Sequence, residues 1–374
     1  MKIKWRKIMT TILLFLGLSI VVLFVFLQHP LFGSKPEGER LIRMQQSKNY
    51  KNGQFHNLSN TPALAEGVTY FSALKEMLFP KTLYTKPTDS IPFVKTNLST
   101  LDKNTDYLVW FGHSSYFMMI DQTSYLIDPV LTKNASPLYG TNVAFKGADT
   151  YHYDLLPAID VLLLTHDHYD HLDYTTFKNL KHKVSRIICP LGMGAHLEHW
   201  GYPKERITEL DWYENVSLTA ETKITATPAR HFSGRGFKRN NTLWASYVLE
   251  TAALKLYIGG DSGYDSHFKT IGDQFGPFDL AFLENGQYDY KWKYIHMLPD
   301  EVVKASNDLQ AKRFFPVHNA KFKLANHAWK EPLEKVNAYS LQQNNSKMIH
   351  PKIGEVVYLN QPDQTFEKWW EKVN

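Results

Sequence analysis

The sequence predicts an α/β fold carried behind one membrane-spanning helix, and three observations predict it. An apolar run occupies residues 8–27, strand-like runs alternate with helical segments from residue 107 onward, and a dense histidine and aspartate cluster follows one of those strands directly. The apolar run comes first. Lys2, Lys4, Arg6 and Lys7 precede it, and a helix of roughly 20 apolar residues is long enough to cross a bilayer. The exit, Phe26-Leu27-Gln28-His29-Pro30, has no small-x-small cleavage site and no following cysteine, so the segment is expected to be an uncleaved anchor rather than a removed signal or a lipoprotein leader. The basic start places the amino terminus in the cytoplasm and the rest of a single-pass chain outside it. Residues 1–30 are therefore read as the anchor.

Residues 34–60 are rich in Lys, Arg, Gln, Asn and Gly with few large apolar side chains, the composition of a solvated tether. A polar linker is expected over residues 31–63. Residues 69–79 form a short helix in this reading, with Tyr70, Leu74, Met77 and Leu78 near helical spacing and Pro80 as the stop. Core packing is the default for that stripe, and contact with lipid is its role if exposed. Strands follow at 107–111, 116–120 and 125–127, separated by Gly-His-Ser-Ser and Asp-Gln-Thr-Ser turns. More are predicted at 159–165, 185–188, 223–226, 245–249, 255–258, 280–283 and 313–317, with helices at 174–179, 193–199 and 300–309. Strands outnumber helices, no repeat period is visible, and a mixed sheet is the consequence.

The 374-residue chain carries 42 Lys and Arg against 37 Asp and Glu. This mildly basic balance is scattered, without the basic block that a nucleic-acid partner requires, so no nucleic acid is expected. Aromatic residues are abundant throughout, as in a large core. Cys189 is the single cysteine, which excludes an internal disulfide and any Cys-based zinc site; it is read as a small buried hydrophobe. Phe366, Trp369 and Trp370 near the carboxyl end are assigned to packing first, with a homodimer contact or membrane contact as the other roles of such a cluster.

The chemistry is concentrated in Leu162-Leu163-Leu164-Thr165-His166-Asp167-His168-Tyr169-Asp170-His171. Imidazole and carboxylate together suit Zn²⁺, Mn²⁺ or Fe, and His-x-His followed by Asp-His can serve two neighbouring ions. A loop leaving a buried strand lets such side chains converge while the strand fixes their base. A dinuclear centre needs more donors than these four. His231, Asp261 and His318 each stand just past an apolar strand-like run, and three metal-capable residues in that position are better explained together than singly.

With those residues in view, the sequence resembles the metallo-β-lactamase fold superfamily. Within it, the resemblance is to N-acylphosphatidylethanolamine-hydrolysing phospholipase D and its bacterial relatives. It is carried by Phe111-Gly112-His113-Ser114, Ile127-Asp128-Pro129-Val130, His166 to Asp173, His231-Phe232-Ser233-Gly234-Arg235, Thr242-Leu243-Trp244-Ala245-Ser246 and Gly260-Asp261-Ser262-Gly263-Tyr264, across residues 64–359. The resemblance implies an αββα sandwich over residues 64–374, two facing mixed sheets flanked by helices, with two divalent ions, Zn²⁺ by the donor set, at one edge. It implies that His166, His168 and His231 hold one ion, that Asp170, His171 and His318 hold the other, and that Asp261 bridges them. Asp128 is expected to orient a ligand histidine.

The implied reaction is metal-assisted hydrolysis; Gly-x-Ser-x-Gly is absent, and no serine or cysteine nucleophile is required. By resemblance, the substrate is an N-acylated ethanolamine phospholipid, with Asp170 and His296 catalytic, His296 as proton donor to the leaving alkoxide, and Tyr288 in contact with substrate. A membrane anchor suits such a lipid. Three departures bear on substrate preference. Asn319-Ala320 stands where the family has Trp-Gly, Leu283-Glu284-Asn285 replaces a Pro-Ile pair, and the loop from Tyr288 to His296 is short. Another hydrolase of this fold, acting on a lactone, cyclic phosphate or other phosphodiester, and a non-catalytic metal-binding membrane protein are the alternative readings.

Overall fold

Alternation of side chains along the strands builds the core. In Lys255–Ile258, Leu280–Glu284 and Arg313–Val317, the side chains of Leu256, Ile258, Leu280, Phe282, Phe315 and Val317 enter one apolar cluster, while Tyr257, Ala281, Leu283 and Phe314 enter a second on the opposite face. A sheet apolar on both faces must be covered on both. In this computed structural model, which describes residues 2–79, 81–343 and 346–374, the inner face meets another sheet and the outer face meets helices. Tyr116 stacks on Phe282 across the interface at 4.3 Å between ring centroids, and Trp110 meets Phe315 edge-on at 5.5 Å. Phe268, Ile271, Val302, Val303 and Val336, from helices His267–Phe275, Pro299–Asp308 and Glu331–Gln343, close the outer cluster.

Both sheets have seven strands and a matching plan. The first runs Val356–Tyr358, Tyr107–Trp110, Tyr116–Ile120, Thr123–Ile127, Ile159–Leu163, Val184–Pro190, Ile207–Leu210. The second runs Lys347–Met348, Arg313–Val317, Leu280–Glu284, Lys255–Ile258, Ser246–Glu250, Lys223–Thr227, Asn215–Ser217. Each combines an antiparallel meander with a parallel stretch. The parity has a consequence for function. Tyr107–Trp110 is two antiparallel steps from Thr123–Ile127, as is Lys223–Thr227 from Lys255–Ile258, so all of these strands end at the same edge of their sheets as their parallel neighbours.

The αββα architecture with mixed sheets and an apolar amino-terminal helix is the one expected. Lys2–Leu27 is a single helix whose Lys4–Leu27 stretch is long and apolar enough to cross a membrane. Among the described residues, six short strands and three helices, Gly38–Gln46, His267–Phe275 and Glu331–Gln343, add to the predicted elements. Cys189 is fully buried, and Trp369 and Trp370 are buried too, Trp369 against Trp110 and Trp329 and Trp370 against His350.

Two expectations change. The short helix is Tyr70–Leu78, capped by Thr69, but its apolar stripe does not pack in the core: Tyr70, Leu74 and Leu78 are exposed, with Phe71 and Phe79 beside them. Periodicity gives a face and says nothing of what covers it. Pro80 and the Met77 side chain lie outside the described residues. The segment expected as a polar linker is folded onto the body instead. It forms the helix Gly38–Gln46 and a hairpin pairing Tyr50–Lys51 with Gln54–Phe55, and it buries Met44 and Phe55. Several of its polar residues make fixed contacts with the body. Arg40 bridges Glu198 at 2.8 Å and Glu209 at 2.6 Å, and the Asn57 amide donates to the His231 carbonyl at 2.7 Å while its oxygen accepts the His231 N–H at 3.0 Å. Because the Arg40 pairs are only partly exposed, Arg40→Ala is expected to destabilise the body by about 2 kcal/mol, measured as a lowered chemical-denaturation midpoint at unchanged slope.

Candidate metal centre

The shared edge of the two sheets collects the polar residues. His113 follows Tyr107–Trp110, Asp128 follows Thr123–Ile127, His166 follows Ile159–Leu163, His231 follows Lys223–Thr227, Asp261 follows Lys255–Ile258, Glu284 closes Leu280–Glu284 and His318 follows Arg313–Val317. Local backbone supports the convergence. His113, Asp128 and His318 have φ of 56°, 39° and 66°, a left-handed conformation that costs a non-glycine residue roughly 1–3 kcal/mol. The first and last of these hold each other: His318 N–H donates to the His113 carbonyl at 3.1 Å, and His113 N–H donates to the Asn319 carbonyl at 3.0 Å. Gly260, also left-handed, admits no side chain, since a Cβ there would lie 2.7 Å from the Thr165 Cβ. That close approach brings Asp261 up to the His166 loop.

Proton bookkeeping decides what the edge can hold. The Thr165 hydroxyl donates to Asp128 Oδ2 at 2.6 Å, so its contact with His166 Nδ1 at 3.0 Å must be donated by the imidazole. His166 Nε2 is left as a bare lone pair. His231 Nδ1 donates to the Ile295 carbonyl at 2.8 Å, which leaves its Nε2 bare as well. Both bare nitrogens point at His168 Nδ1, 2.9 Å and 3.2 Å away. One N–H can serve only one of them, and an unpaired buried acceptor costs about 1–3 kcal/mol. A cation at the meeting point satisfies all three, and this donor set fits a divalent metal.

The second group is built the same way. Asp128 Oδ2 accepts from His171 Nδ1 at 2.8 Å, turning His171 Nε2 inward, where it has no hydrogen-bond partner. Asp170 Oδ2 lies 2.9 Å from His113 Nε2, 3.2 Å from His318 Nε2 and 3.6 Å from His171 Nε2. Asp261 spans both groups, with Oδ1 3.2 Å from His171 Nε2 and Oδ2 3.2 Å from His318 Nε2 and 3.8 Å from both His166 and His231 Nε2. His113, Asp170, His171 and His318 form one set with metal-ligand spacing, and His166, His168 and His231 another. Burial, reinforced by the neighbouring His171 and His168, pushes His166 well below the usual imidazole range, and burial pulls His168 down to about 4. Asp170 and Asp261 stay ionised: burial, which would raise them, is outweighed by His171 and its companions. His166 and His168 are thus neutral donors, as metal binding requires. In His171 burial, which would lower it, is outweighed by Asp261 and Asp170, which raise it well above the usual imidazole range, and a bound ion would take the place of its Nε2 proton.

The structure thus gathers all seven residues named as metal donors. Asp128 touches His171 and Thr165, as an orienting residue must. His296 stands at the rim, its ring parallel to His318 at 5.4 Å and edge-on to His231 at 5.0 Å. Tyr288 is set apart in an adjoining cleft of about 540 Å³ with Glu66, Lys291 and His327; its hydroxyl donates to Glu331 at 2.9 Å. Sequence reasoning missed His113, hidden in a Gly-His-Ser-Ser turn, and Glu284, whose Oε2 lies 2.8 Å from His296 Nδ1. It also missed Asp167, which points away from the donors. Its carboxylate accepts from Gly234 N–H at 2.6 Å and the Thr242 hydroxyl at 3.0 Å and faces His196 Nε2 at 3.2 Å; burial, which alone would raise it, is outweighed by His196, so it falls to about 2. Beside it, Arg235 donates to the carbonyls of Asp167 and Leu172 in the donor loop and to the Leu31 carbonyl at 2.7–3.0 Å.

Two facing mixed sheets with histidines and aspartates gathered at one edge define a metal-dependent hydrolase of the metallo-β-lactamase fold. The chain belongs to the beta-lactamase superfamily, whose domain model matches residues 123–319. An uncharacterised Mycobacterium tuberculosis protein is 36% identical over 330 residues, 87% of this chain and 88% of that one. N-acyl-phosphatidylethanolamine-hydrolyzing phospholipase D 1 of Caenorhabditis elegans is 30% identical over 229 residues, 57% of this chain and 63% of its own. Among solved structures, the metallo hydrolase Igni18 of Ignicoccus hospitalis shares the fold with a TM-score of 0.51 at 19% identity, covering 68% of this chain and 97% of that one.

Metal analysis tests the centre. Asp261→Ala, which removes the carboxylate common to both groups, is expected to strip bound divalent metal from both, and His231→Ala from its own group only. Asp128→Asn keeps the donors and is expected to weaken metal affinity by roughly 10–100-fold.

Proposed function

We propose that the chain is a dinuclear metal-dependent phosphodiesterase of phospholipase D type that hydrolyses N-acylphosphatidylethanolamine-like lipids to N-acylethanolamine and phosphatidic acid. The observation that carries the lipid assignment is the tie between the apolar helix and the donor loop. The helix ends at Leu27, the Trp200 indole takes the Pro30 carbonyl at 2.8 Å, Arg235 takes that of Leu31, and Ser34 N–H donates to His196. Arg235 holds residues 167 and 172 with its other nitrogen. If the helix spans a bilayer, with Lys2, Lys4, Arg6 and Lys7 on the cytoplasmic side and the body outside, the mouth of the site is held at the lipid surface. Similarity to a phospholipase D supports the same substrate class.

In this reading His166, His168 and His231 hold one ion, Asp170, His171 and His318 the second, and Asp261 both. Two divalent cations there, Zn²⁺ by the donor set, supply charge stabilisation at the phosphoryl oxygens and a water acidified toward neutrality. The protein's own groups do the rest. Asp128, Thr165 and the Ile295 carbonyl fix the tautomers and ring planes of His171, His166 and His231. Water adds to phosphorus, the bond from phosphorus to the ethanolamine oxygen breaks, and His296 gives that oxygen a proton its ring has taken from the attacking water. Asp170, ionised and ringed by three imidazoles, would act in catalysis by holding the second ion beside His171 and His318.

Full-length protein in mixed micelles, given an N-acylated phosphatidylethanolamine, a lactone and a simple phosphodiester in parallel, is expected to release N-acylethanolamine from the first. Chelation should abolish the release, and added Zn²⁺ should restore it. Turnover confined to the lactone, or bound metal with no turnover on any substrate, overturns the assignment.

A further inference from the structure

Glu284 is the least expected side chain at this edge. It closes the strand Leu280–Glu284 at 1% exposure, and no lysine or arginine pairs with it among the described residues. A carboxylate in such a position is costly unless its lone pairs are used. They are used on one short stretch of chain. Oε1 accepts the Met297 N–H at 2.6 Å, Oε2 meets His296 Nδ1 at 2.8 Å, and the same Oε2 lies 3.7 Å from His318 Nδ1. Glu284 therefore grips two consecutive residues just before the helix Pro299–Asp308. The other edge of the His296 ring, Nε2, makes no hydrogen bond to the protein among the described residues. That ring stands between the two donor groups, beside His231 of one and His318 of the other.

We propose that Glu284 is a positioning residue: by accepting the Nδ1–H of His296 it locks that ring with a bare Nε2 facing the space between the two metal-donor groups, where that nitrogen can take a proton from the attacking water and pass it to the leaving oxygen. The inference deepens the phosphodiesterase reading and rests on it. The carboxylate is suited to the role in a way that an amide is not. Glutamate offers two acceptors, one for Met297 N–H and one for Nδ1–H. In Glu284→Gln the amide oxygen is claimed by the Met297 N–H, the NH₂ group then faces Nδ1, and His296 must take the opposite tautomer.

The test uses full-length protein in detergent with ¹⁵N-labelled histidine. Wild type is expected to show His296 protonated at Nδ1, and Glu284→Gln to show the proton moved to Nε2, with metal content and melting temperature unchanged. On an alkyl phosphodiester lipid, kcat is expected to fall about 10–100-fold at constant KM. On a p-nitrophenyl phosphodiester, whose leaving group needs no proton, the fall should be far smaller. His296→Ala should show the same selectivity, and adding Glu284→Gln to it should cost nothing more. Glu284→Asp, which keeps both acceptors, serves as the second variant and should recover part of the activity on the alkyl substrate. Loss of metal in Glu284→Gln would make Glu284 a ligand, equal losses on both substrates would make it structural, and an unchanged His296 tautomer would remove the positioning role; each overturns the proposal. If wild type cleaves no phosphodiester, the functional reading fails, while the tautomer measurement still decides whether Glu284 sets the ring.

Discussion

Three imidazole nitrogens that cannot all be satisfied by protons lie at the centre of this molecule. Thr165 and the Ile295 carbonyl deprive His166 and His231 of any proton on their inner nitrogens, and those nitrogens are pressed against His168. In water the lone pairs would separate. Here they are held by the ends of strands from opposite sheets, so the energy of packing those sheets is what keeps mutually repelling donors together. The arrangement is stable in proportion to how well a cation fills it. Both sheets share the antiparallel-then-parallel plan because strand ends carrying donors must finish at one edge.

The same edge concentrates backbone conformations that are unfavourable elsewhere. His113, Asp128 and His318 are left-handed without being glycine, and each is held by a bond that replaces the lost conformational freedom: His113 and His318 through one another's loops, Asp128 through Thr165 and His171. Strain of this kind persists where surrounding contacts over-determine the residue. At the opposite end, left-handed residues such as Asp121 and Gln122 serve only a two-residue hairpin turn, which calls for that conformation.

How much of this was legible in the chain depends on where the signal was stored. His166, His168, Asp170 and His171 are contiguous and follow an apolar run, so sequence order alone announces them. His231, Asp261 and His318 are dispersed, and each became legible only as the residue after a strand, with the family resemblance to bind them. His113 and Glu284 also stand at strand ends but drew no role: one sits in a small polar turn, the other is the single acid at the end of Leu280-Ala281-Phe282-Leu283. Their meaning exists only once chain reversals bring Asp170 and His296 to them. The folded segment of residues 34–60 was hidden for a related reason. Arg40, Glu198 and Glu209 lie far apart in the chain, and composition counts their charges without knowing that they meet. The stripe on Tyr70–Leu78 shows the converse failure, a clear period whose partner is not a core.

The clasp of Arg235 on Leu31 has a bearing on how a lipid is encountered. The clasped carbonyl lies only four residues beyond Leu27, the end of the apolar helix, and four extended residues reach about 14 Å at most. In the proposed reading, with the helix in a bilayer and a lipid as substrate, an enzyme held so near the interface meets its substrate by lateral diffusion in two dimensions. Its rate then follows the fraction of surface molecules that are substrate, and diluting the lipid within the plane slows it while diluting the suspension does not.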